Sequence, residues 1–183
     1  MNYPFLLRFS HISNLSDARY AAGLWADFIG FCFDPGSKDF IDPNKAKEII
    51  SWVNGPAIVG EFGHQPVDWI LDICQKLNIK VIEIPQDYDD LTILDRDFRV
   101  IVRMHHSEQN VLSKRADLLS THQLEIYEKI SAEREQSVLL DIADLNMDCS
   151  QLNGVSITGH HENKPGTSNQ SAWTAFLERH EIN

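Results

Sequence analysis

The chain alternates short, continuously apolar runs with longer segments in which apolar residues recur every three or four positions. The runs have the length of strands, and the periodic segments have the spacing of amphipathic helices. Hydrophobicity that is continuous rather than alternating is typical of parallel strands buried on both faces. The predicted strands are Phe5–Ile12, Asp27–Phe33, Ala57–Phe62, Ile79–Ile84, Phe98–Met104, Val138–Ala143 and Gly154–Gly159.

Helix signals lie between these runs. Asn14 or Ser16 is a suitable N-cap for a first helix, and Pro43 stands where a second helix commonly begins. Pro66 opens a third helix, and a last one is predicted around Asn169–His180. All four tryptophans fall in these helical segments, where we expect them to pack against the sheet. They are Trp25, Trp52, Trp69 and Trp173.

The middle of the chain, residues 107–136, fits two interpretations. It is either one long helical stretch or two helices around a sixth strand, Ala116–Ser120. The second interpretation gives eight β/α units, the number that closes a compact TIM (β/α)8 barrel, with some helices shortened at this length. An open doubly wound sheet is the alternative from pattern alone. No linker or low-complexity segment interrupts the chain, so we predict a single α/β domain over residues 1–183.

Charge and cysteine usage exclude several classes of partner. The net charge of −11 argues against nucleic acid and acidic membranes, which both require a basic surface. No window approaches 18 apolar residues, so no membrane span is predicted. The N-terminus lacks the apolar run of a signal peptide. The three cysteines have no CxxC spacing, and we expect no disulfide framework and a cytoplasmic location.

Short motifs near both ends of the chain occur in the order found in one known family. Residues 8–18 are similar to K-I-C-G-I-T-N-x-x-D-A, and residues 30–33 to G-F-x-F. Residues 37–43 are similar to S-P-R-Y-V-S-P, and residues 59–65 to V-G-V-F-x-N-Q. Near the end of the chain, residues 145–146 are similar to L-N, residues 154–158 to G-V-D-V-S-S, and residues 162–166 to E-x-x-P-G. The set resembles the phosphoribosylanthranilate isomerase family of tryptophan biosynthesis.

The resemblance implies a (β/α)8 barrel with its active site at the C-terminal strand ends. The family reaction is the Amadori isomerisation of N-(5-phosphoribosyl)anthranilate, which needs an acid at the ring oxygen and a base at C2′. The resemblance places the base, a cysteine in the family, at Ser10. It places the acid, an aspartate in the family, at Ser120, with Asp117 or Asp141 as the acid if the alignment shifts. A serine without an activating partner is a poor acid and a poor base.

The resemblance also locates substrate-binding positions. Asp39, beside Lys38, stands where the family has an arginine that holds the anthranilate side. Asp144 stands in the phosphate-binding turn after the seventh strand, and Thr158 and Gly159 retain part of the turn after the eighth.

Two charged residues replace other polar family residues within the barrel strands. Arg8 stands where the family has a lysine, and Glu83 where it has an inward glutamine. For Glu83 we expect a buried acid paired with Arg8 or Arg103.

Seven of the eight histidines lie at or just past the C-terminal end of a predicted strand. One interpretation is a metal site, with candidates His64, His105 and His160; a second is a His/Glu-rich pocket without metal; a third is loop histidines without function. No HxH or HExxH spacing marks a metal site. The seven histidines are His11, His64, His105, His106, His122, His160 and His161.

The sequence as a whole therefore predicts an isomerase-like barrel, a divergent paralogue whose standard activity is lost or altered. The alternative is a small-molecule-binding or metal-dependent barrel that uses the histidine-rich face. No cofactor is expected. The expected partner is a small molecule, either phosphorylated or not, and the chain is expected to be a monomer or a homodimer.

Overall fold

Eight parallel strands close into a barrel in a computed structural model of the protein, which describes residues 3–108, 110–133, 137–159 and 170–181. Each strand pairs with its neighbours in sequence, and the last pairs with the first. The predicted barrel is therefore confirmed over the open sheet. The strands are β1 (Leu6–Ser10), β2 (Phe28–Cys32), β3 (Ala57–Glu61), β4 (Val81–Pro85), β5 (Arg99–Arg103), β6 (Leu118–Thr121), β7 (Val138–Ile142) and β8 (Gly154–Thr158).

The sixth strand exists, but it begins two residues later than Ala116–Ser120 and ends one residue later. The helices on the outside are α1 (Leu15–Gly23), α2 (Pro43–Ile50), α3 (Val67–Leu77), α4 (Val111–Arg115), α5 (Leu124–Glu133) and α6 (Gln170–Glu178). A 3-10 turn, Leu91–Asp95, connects β4 to β5, and the connection from β7 to β8, residues 143–153, contains no helix. These short connections allow a barrel of 183 residues.

Local signals fix the helix starts. The side chain of Asn14 accepts a hydrogen bond from the Asp17 backbone N–H, so Asn14 is the cap of α1 and Ser16 is not. Asp42 caps α2 in the same way, with Pro43 at the first helical position. No helix of the described residues is long and apolar enough to cross a membrane.

The prediction for the tryptophans is right for two of them and wrong for the other two. Trp173 is 1% exposed and its ring lies 4.8 Å from that of Phe9. Trp25 and Trp52 are 69% and 64% exposed. The cause is the helix ends: α1 stops at Gly23 and α2 at Ile50, so both side chains lie in turns beyond them. Trp25 also has a positive φ of 60°.

Six apolar side chains fill the N-terminal half of the barrel interior, separately from the larger core between strands and helices. We call this cluster the lower layer. Because successive strand residues point to opposite faces, the residues two positions further along each strand also point inward. The lower layer consists of Phe28, Val59, Val81, Ile101, Leu118 and Leu139.

Candidate functional site

Polar side chains, most of them charged, stand two residues after lower-layer residues on strands β3 to β7. Glu61 comes two residues after Val59, and Glu83 two residues after Val81. On β1, Arg8 comes two residues after Leu6, which is partly buried against the lower layer. We call this set the upper layer; it lies toward the C-terminal strand ends, where barrel enzymes place their active sites. Its members are Arg8, Glu61, Glu83, Arg103, Ser120 and Asp141.

Arg8 is the centre of the upper layer. It is 1% exposed, and its guanidinium bonds to both Glu61 and Glu83, which are 1% and 2% exposed. Glu83 also accepts bonds from Arg103 at 2.9 Å and from the hydroxyl of Ser120 at 2.9 Å. The expectation that Glu83 pairs with an arginine is therefore confirmed for both arginines.

The charges in this network decide its protonation. Burial alone would raise the pKa of Glu83, but Arg8 and then Arg103 outweigh burial and hold that pKa at about 2. Burial would likewise lower the pKa of Arg8, and Glu83 and Glu61 raise it above its ordinary value instead. Glu83 is therefore a carboxylate at every pH of interest and is unsuited to proton transfer.

Gly30 on β2 provides the space that Glu61 occupies. A Cβ added at Gly30 would lie 1.8 Å from the Glu61 Oε1 atom. The glycine of the G-F-x-F segment is therefore needed for the ion network, because any side chain there would displace the carboxylate that bonds Arg8.

Asp141 is an upper-layer residue that lines an open pocket. This β7–β8 pocket has a volume of about 220 Å³. Burial, and to a lesser degree the charge of Glu83, raises the pKa of Asp141 to about 6 against the opposing charge of Arg8. The pocket is lined by His122, Asp141, Ile142, Ala143, Leu145, Ile157, Thr158 and Trp173.

His11 lies between two carboxylates at the barrel mouth. Its φ is 54°, a left-handed conformation, and its backbone N–H donates to Glu61 Oε2 at 3.1 Å. Its Nε2 lies 3.4 Å from Glu61 Oε2, and its Nδ1 lies 3.6 Å from Asp39 Oδ2. Asp39, the residue at the expected anthranilate-holding position, thus faces His11, while the neighbouring Lys38 is exposed.

The two serines at the expected base and acid positions bond to groups that do not activate them. Ser10 is 3% exposed, and its hydroxyl donates to Thr158 Oγ1 at 3.4 Å. Ser120 is fully buried and donates to Glu83. Within the described residues, no hydrogen bond joins either serine to a histidine.

The other expected ligand and acid positions are scattered. Asp117 accepts from the Val100 backbone N–H at 2.7 Å at the opposite, N-terminal end of β6, far from the mouth. Asp144 is exposed and accepts from Asn146 in its own loop at 2.9 Å. The N–H of Gly159 donates to the Ser10 carbonyl at 2.7 Å and so continues the pairing of β8 with β1.

The histidines do not form one cluster. His64 is 59% exposed and lies 3.1 Å from Asp87. Burial and the charge of Arg103 lower the pKa of His105, whose backbone N–H bonds to Gln86. His160 and His161 lie outside the described residues. Across the described part of the chain, no three His, Cys, Asp or Glu side chains are placed to hold a metal ion.

Sequence reasoning missed two members of the site. Glu61 falls within the predicted strand Ala57–Phe62 but is not predicted to join the ion network, and Gln86 lies outside every predicted strand and helix. Gln86 is 1% exposed, and its side-chain oxygen accepts the backbone N–H of His105 at 3.0 Å. Strand alternation places Glu61 on the same face as Val59, but only the structure shows that this face is the inner one. No sequence signal marks Gln86.

Comparison with known proteins gives a consistent answer. The family model described as N-(5'phosphoribosyl)anthranilate (PRA) isomerase matches residues 8–127. The N-(5'-phosphoribosyl)anthranilate isomerase of Chlamydia felis is 34% identical over 94 residues, which are 49% of this chain and 46% of that protein. The Thermotoga neapolitana isomerase is 33% identical over 79 residues, 42% of this chain and 38% of that protein. The matches thus span less than half the length of these curated relatives.

Solved structures extend the likeness of the fold to nearly the whole chain. The phosphoribosyl anthranilate isomerase of Thermus thermophilus superposes with a TM-score of 0.79 at 18% identity, covering 96% of this chain and 99% of that one. The N-(5'-phosphoribosyl)anthranilate isomerase of Pyrococcus furiosus gives a TM-score of 0.72 at 16% identity, covering 96% and 98%. At these identities the likeness shows a shared fold.

Proposed function

The chain belongs to the N-(5'-phosphoribosyl)anthranilate isomerase family, and from this premise we propose that it is a divergent paralogue whose standard isomerisation is lost or altered. It binds a different small molecule at the C-terminal ends of the barrel strands. We propose a change of reaction and ligand, not of fold. The closed barrel and the upper layer still provide a preorganised site at the barrel mouth.

The hydrogen bond from Ser120 to Glu83 is the observation that carries this proposal. Ser120 stands at the position where the resemblance expects the acid. Its hydroxyl points at a carboxylate that Arg8 and Arg103 hold ionised, with a pKa of about 2. A carboxylate that weakly basic does not draw a proton from serine, so Ser120 is neither an acid nor an activated base.

Ser10, at the expected base position, supports the same conclusion. Its hydrogen-bond partner is the hydroxyl of Thr158 at 3.4 Å. A serine nucleophile or base needs a neighbouring imidazole, amine or carboxylate to accept its proton, and Thr158 is none of these. The two proton transfers of the family reaction thus lack a donor and an acceptor at the expected positions.

The electrostatics of the β7–β8 pocket also disfavour the family ligand. One structural neighbour is a family enzyme in complex with reduced 1-(o-carboxyphenylamino)-1-deoxyribulose 5-phosphate, an anionic sugar phosphate. The described residues that line the pocket here include Asp141 and no lysine or arginine. A phosphate dianion placed beside a carboxylate is destabilised by like-charge repulsion.

Complementation tests the proposal. The gene is expressed in a tryptophan auxotroph that lacks the isomerase, and we expect no growth at a level of soluble protein that matches an isomerase control. Growth would contradict the proposal. The double variant Ser10→Cys/Ser120→Asp is tested beside it, and we expect no growth because the pocket charge is unchanged. Growth of the double variant alone would support loss of the acid and base but contradict the change of ligand.

A further inference from the structure

The upper layer contains more negative than positive groups. Its three carboxyl groups, Glu61, Glu83 and Asp141, face two guanidinium groups. Arg8 bonds to Glu61 and Glu83, and Arg103 bonds to Glu83. Among the described residues, no arginine or lysine forms an ion pair with Asp141. Asp141 is partly exposed and receives the attraction of Arg8 without an ion pair, so a proton or a cation that enters from the pocket would stabilise it further.

The pocket beside Asp141 has room for such a cation and the molecule that carries it. Most of its described wall is apolar, with Trp173, Ile157 and Leu145 among the lining side chains. Its polar groups are Asp141, the His122 imidazole and the Thr158 hydroxyl. Mostly apolar pockets with a few convergent polar groups are the usual sites of small ligands.

We propose that the β7–β8 pocket binds a small molecule in which an ammonium group is joined to a flat apolar group, with Asp141 as the counter-ion of the ammonium. The apolar part lies against the wall that contains Trp173 and Ile157, and Thr158 supplies a hydrogen-bond acceptor. This proposal rests on the proposed function, because it names the class of molecule that takes the place of the family's sugar phosphate.

Other ligand classes fit the pocket less well. A phosphate would face the Asp141 carboxylate with no lysine or arginine among the described lining residues. A divalent metal ion would need several oxygen or nitrogen ligands, and the described residues contain no such group of three. An ammonium needs only one carboxylate and a few acceptors, which is what this pocket provides.

Binding of an ammonium should depend on pH with a definite sign. Asp141 has a pKa of about 6, so it is mostly protonated at lower pH and offers no charge to the ligand. Above that pH the ammonium replaces the proton, and affinity rises. The charged and titratable groups that face Asp141 are Arg8, Glu83 and Glu61 from the interior and His122 across the pocket.

Calorimetric titration with phenethylamine tests the proposal on the whole chain. We expect saturable binding that is roughly tenfold weaker at about pH 5 than at about pH 8, because about a tenth of a carboxyl group is ionised one unit below its pKa. 2-Phenylethanol has the same shape without the charge, and we expect weaker binding without this pH dependence. Inorganic phosphate should not compete. No binding of phenethylamine, or its displacement by phosphate, would overturn the proposal.

Variants separate Asp141 from its neighbours. Asp141→Asn should remove the pH dependence and weaken binding at about pH 8 at least tenfold, whereas His122→Gln should keep the rise in affinity with pH. Asp95→Asn, which removes a surface carboxylate 71% exposed, is the control and should bind like the unmodified chain. Unchanged binding by Asp141→Asn would contradict the proposal. The pH profile of the unmodified chain remains decisive if a variant fails to fold.

The binding experiment and the test of the proposed function can fail independently of each other. Turnover of phosphoribosylanthranilate would sink the proposed function whatever the amine does. Absence of both turnover and amine binding would leave the proposed function standing and overturn only the assignment of the ligand class.

Discussion

The lower and upper layers of the barrel interior share strands β3 to β7, where their residues lie two positions apart, and they differ completely in chemistry. Val59 and Val81 in the lower layer are succeeded by Glu61 and Glu83 in the upper layer, and all four are almost fully buried. Apolar burial stabilises the fold directly. Buried ion pairs often contribute little net stability, because desolvation offsets their attraction. The comparison indicates that the lower layer stabilises the fold, whereas the upper layer provides the polar and charged groups at the barrel mouth.

Among the substitutions considered, replacement of Arg8 should lower the free energy of unfolding the most. Arg8→Met leaves two buried carboxylates without their shared cation, and we expect the free energy of unfolding to fall by about 3–5 kcal/mol near neutral pH. Urea denaturation measures it. Arg115→Met is the matched control: Arg115 lies 3.5 Å from Asp95 with both side chains more than half exposed, so its loss should cost less than about 1 kcal/mol. Equal effects would contradict the account.

Truncation in the lower layer should cost nearly as much but with a different pH signature. Leu139→Ala leaves a cavity among fully buried neighbours, and we expect a loss of about 3 kcal/mol. The loss should be the same at about pH 5 and about pH 8, because the lower layer contains no titratable side chain. Urea denaturation at both pH values checks this. A loss of stability that depends on pH would contradict the proposed difference between the two layers.

Neutralising Asp141 should stabilise the fold, opposite in sign to the first two changes. Its pKa is raised from 3.8 to about 6 in the folded chain, so the unfolded chain releases the proton first as pH rises. The carboxyl group therefore costs stability that increases from about pH 4 to about pH 6 and is constant above. Asp141→Asn should add on the order of 2 kcal/mol at about pH 8 and little at about pH 4. Thermal unfolding across pH measures it, and a variant that is less stable at about pH 8 would refute the assignment.

The smallest effect is expected from a methyl group at Gly30. Gly30→Ala forces the Glu61 carboxylate aside, and we expect a loss of about 1–2 kcal/mol. In a Glu61→Ala background the same substitution should cost less, because the clash is removed. Gly23→Ala is the control: no atom lies within 4 Å of the added Cβ, and the helix should tolerate it or gain slightly. Equal costs in both backgrounds would show that Gly30 does not act through Glu61.

The sequence predicted the barrel better than it predicted the site. Continuous apolar runs located the strands to within about two residues, since burial on both faces leaves a clear pattern. The same continuous apolar pattern does not show in which direction each side chain points. Glu61 and Asp141 interrupt apolar runs, but a strand buried on both faces does not reveal which of its residues face the barrel interior. The pairing of Glu83 was predictable because Arg103 stands on the neighbouring strand and Arg8 stands on another strand of the same barrel. The exposure of Trp25 and Trp52 was not, because the exact ends of two helices decide it.

Steady-state turnover of N-(5'-phosphoribosyl)anthranilate by the purified chain tests the central claim most directly. The isomerase of Thermus thermophilus serves as the positive control under the same conditions. We predict no turnover above the uncatalysed rate, because Ser10 and Ser120 lack activating partners and the described wall of the β7–β8 pocket provides no cationic side chain for the phosphate. Saturable turnover above the uncatalysed rate would contradict the claim, and its loss in Ser120→Ala would identify Ser120 as a residue that carries the reaction.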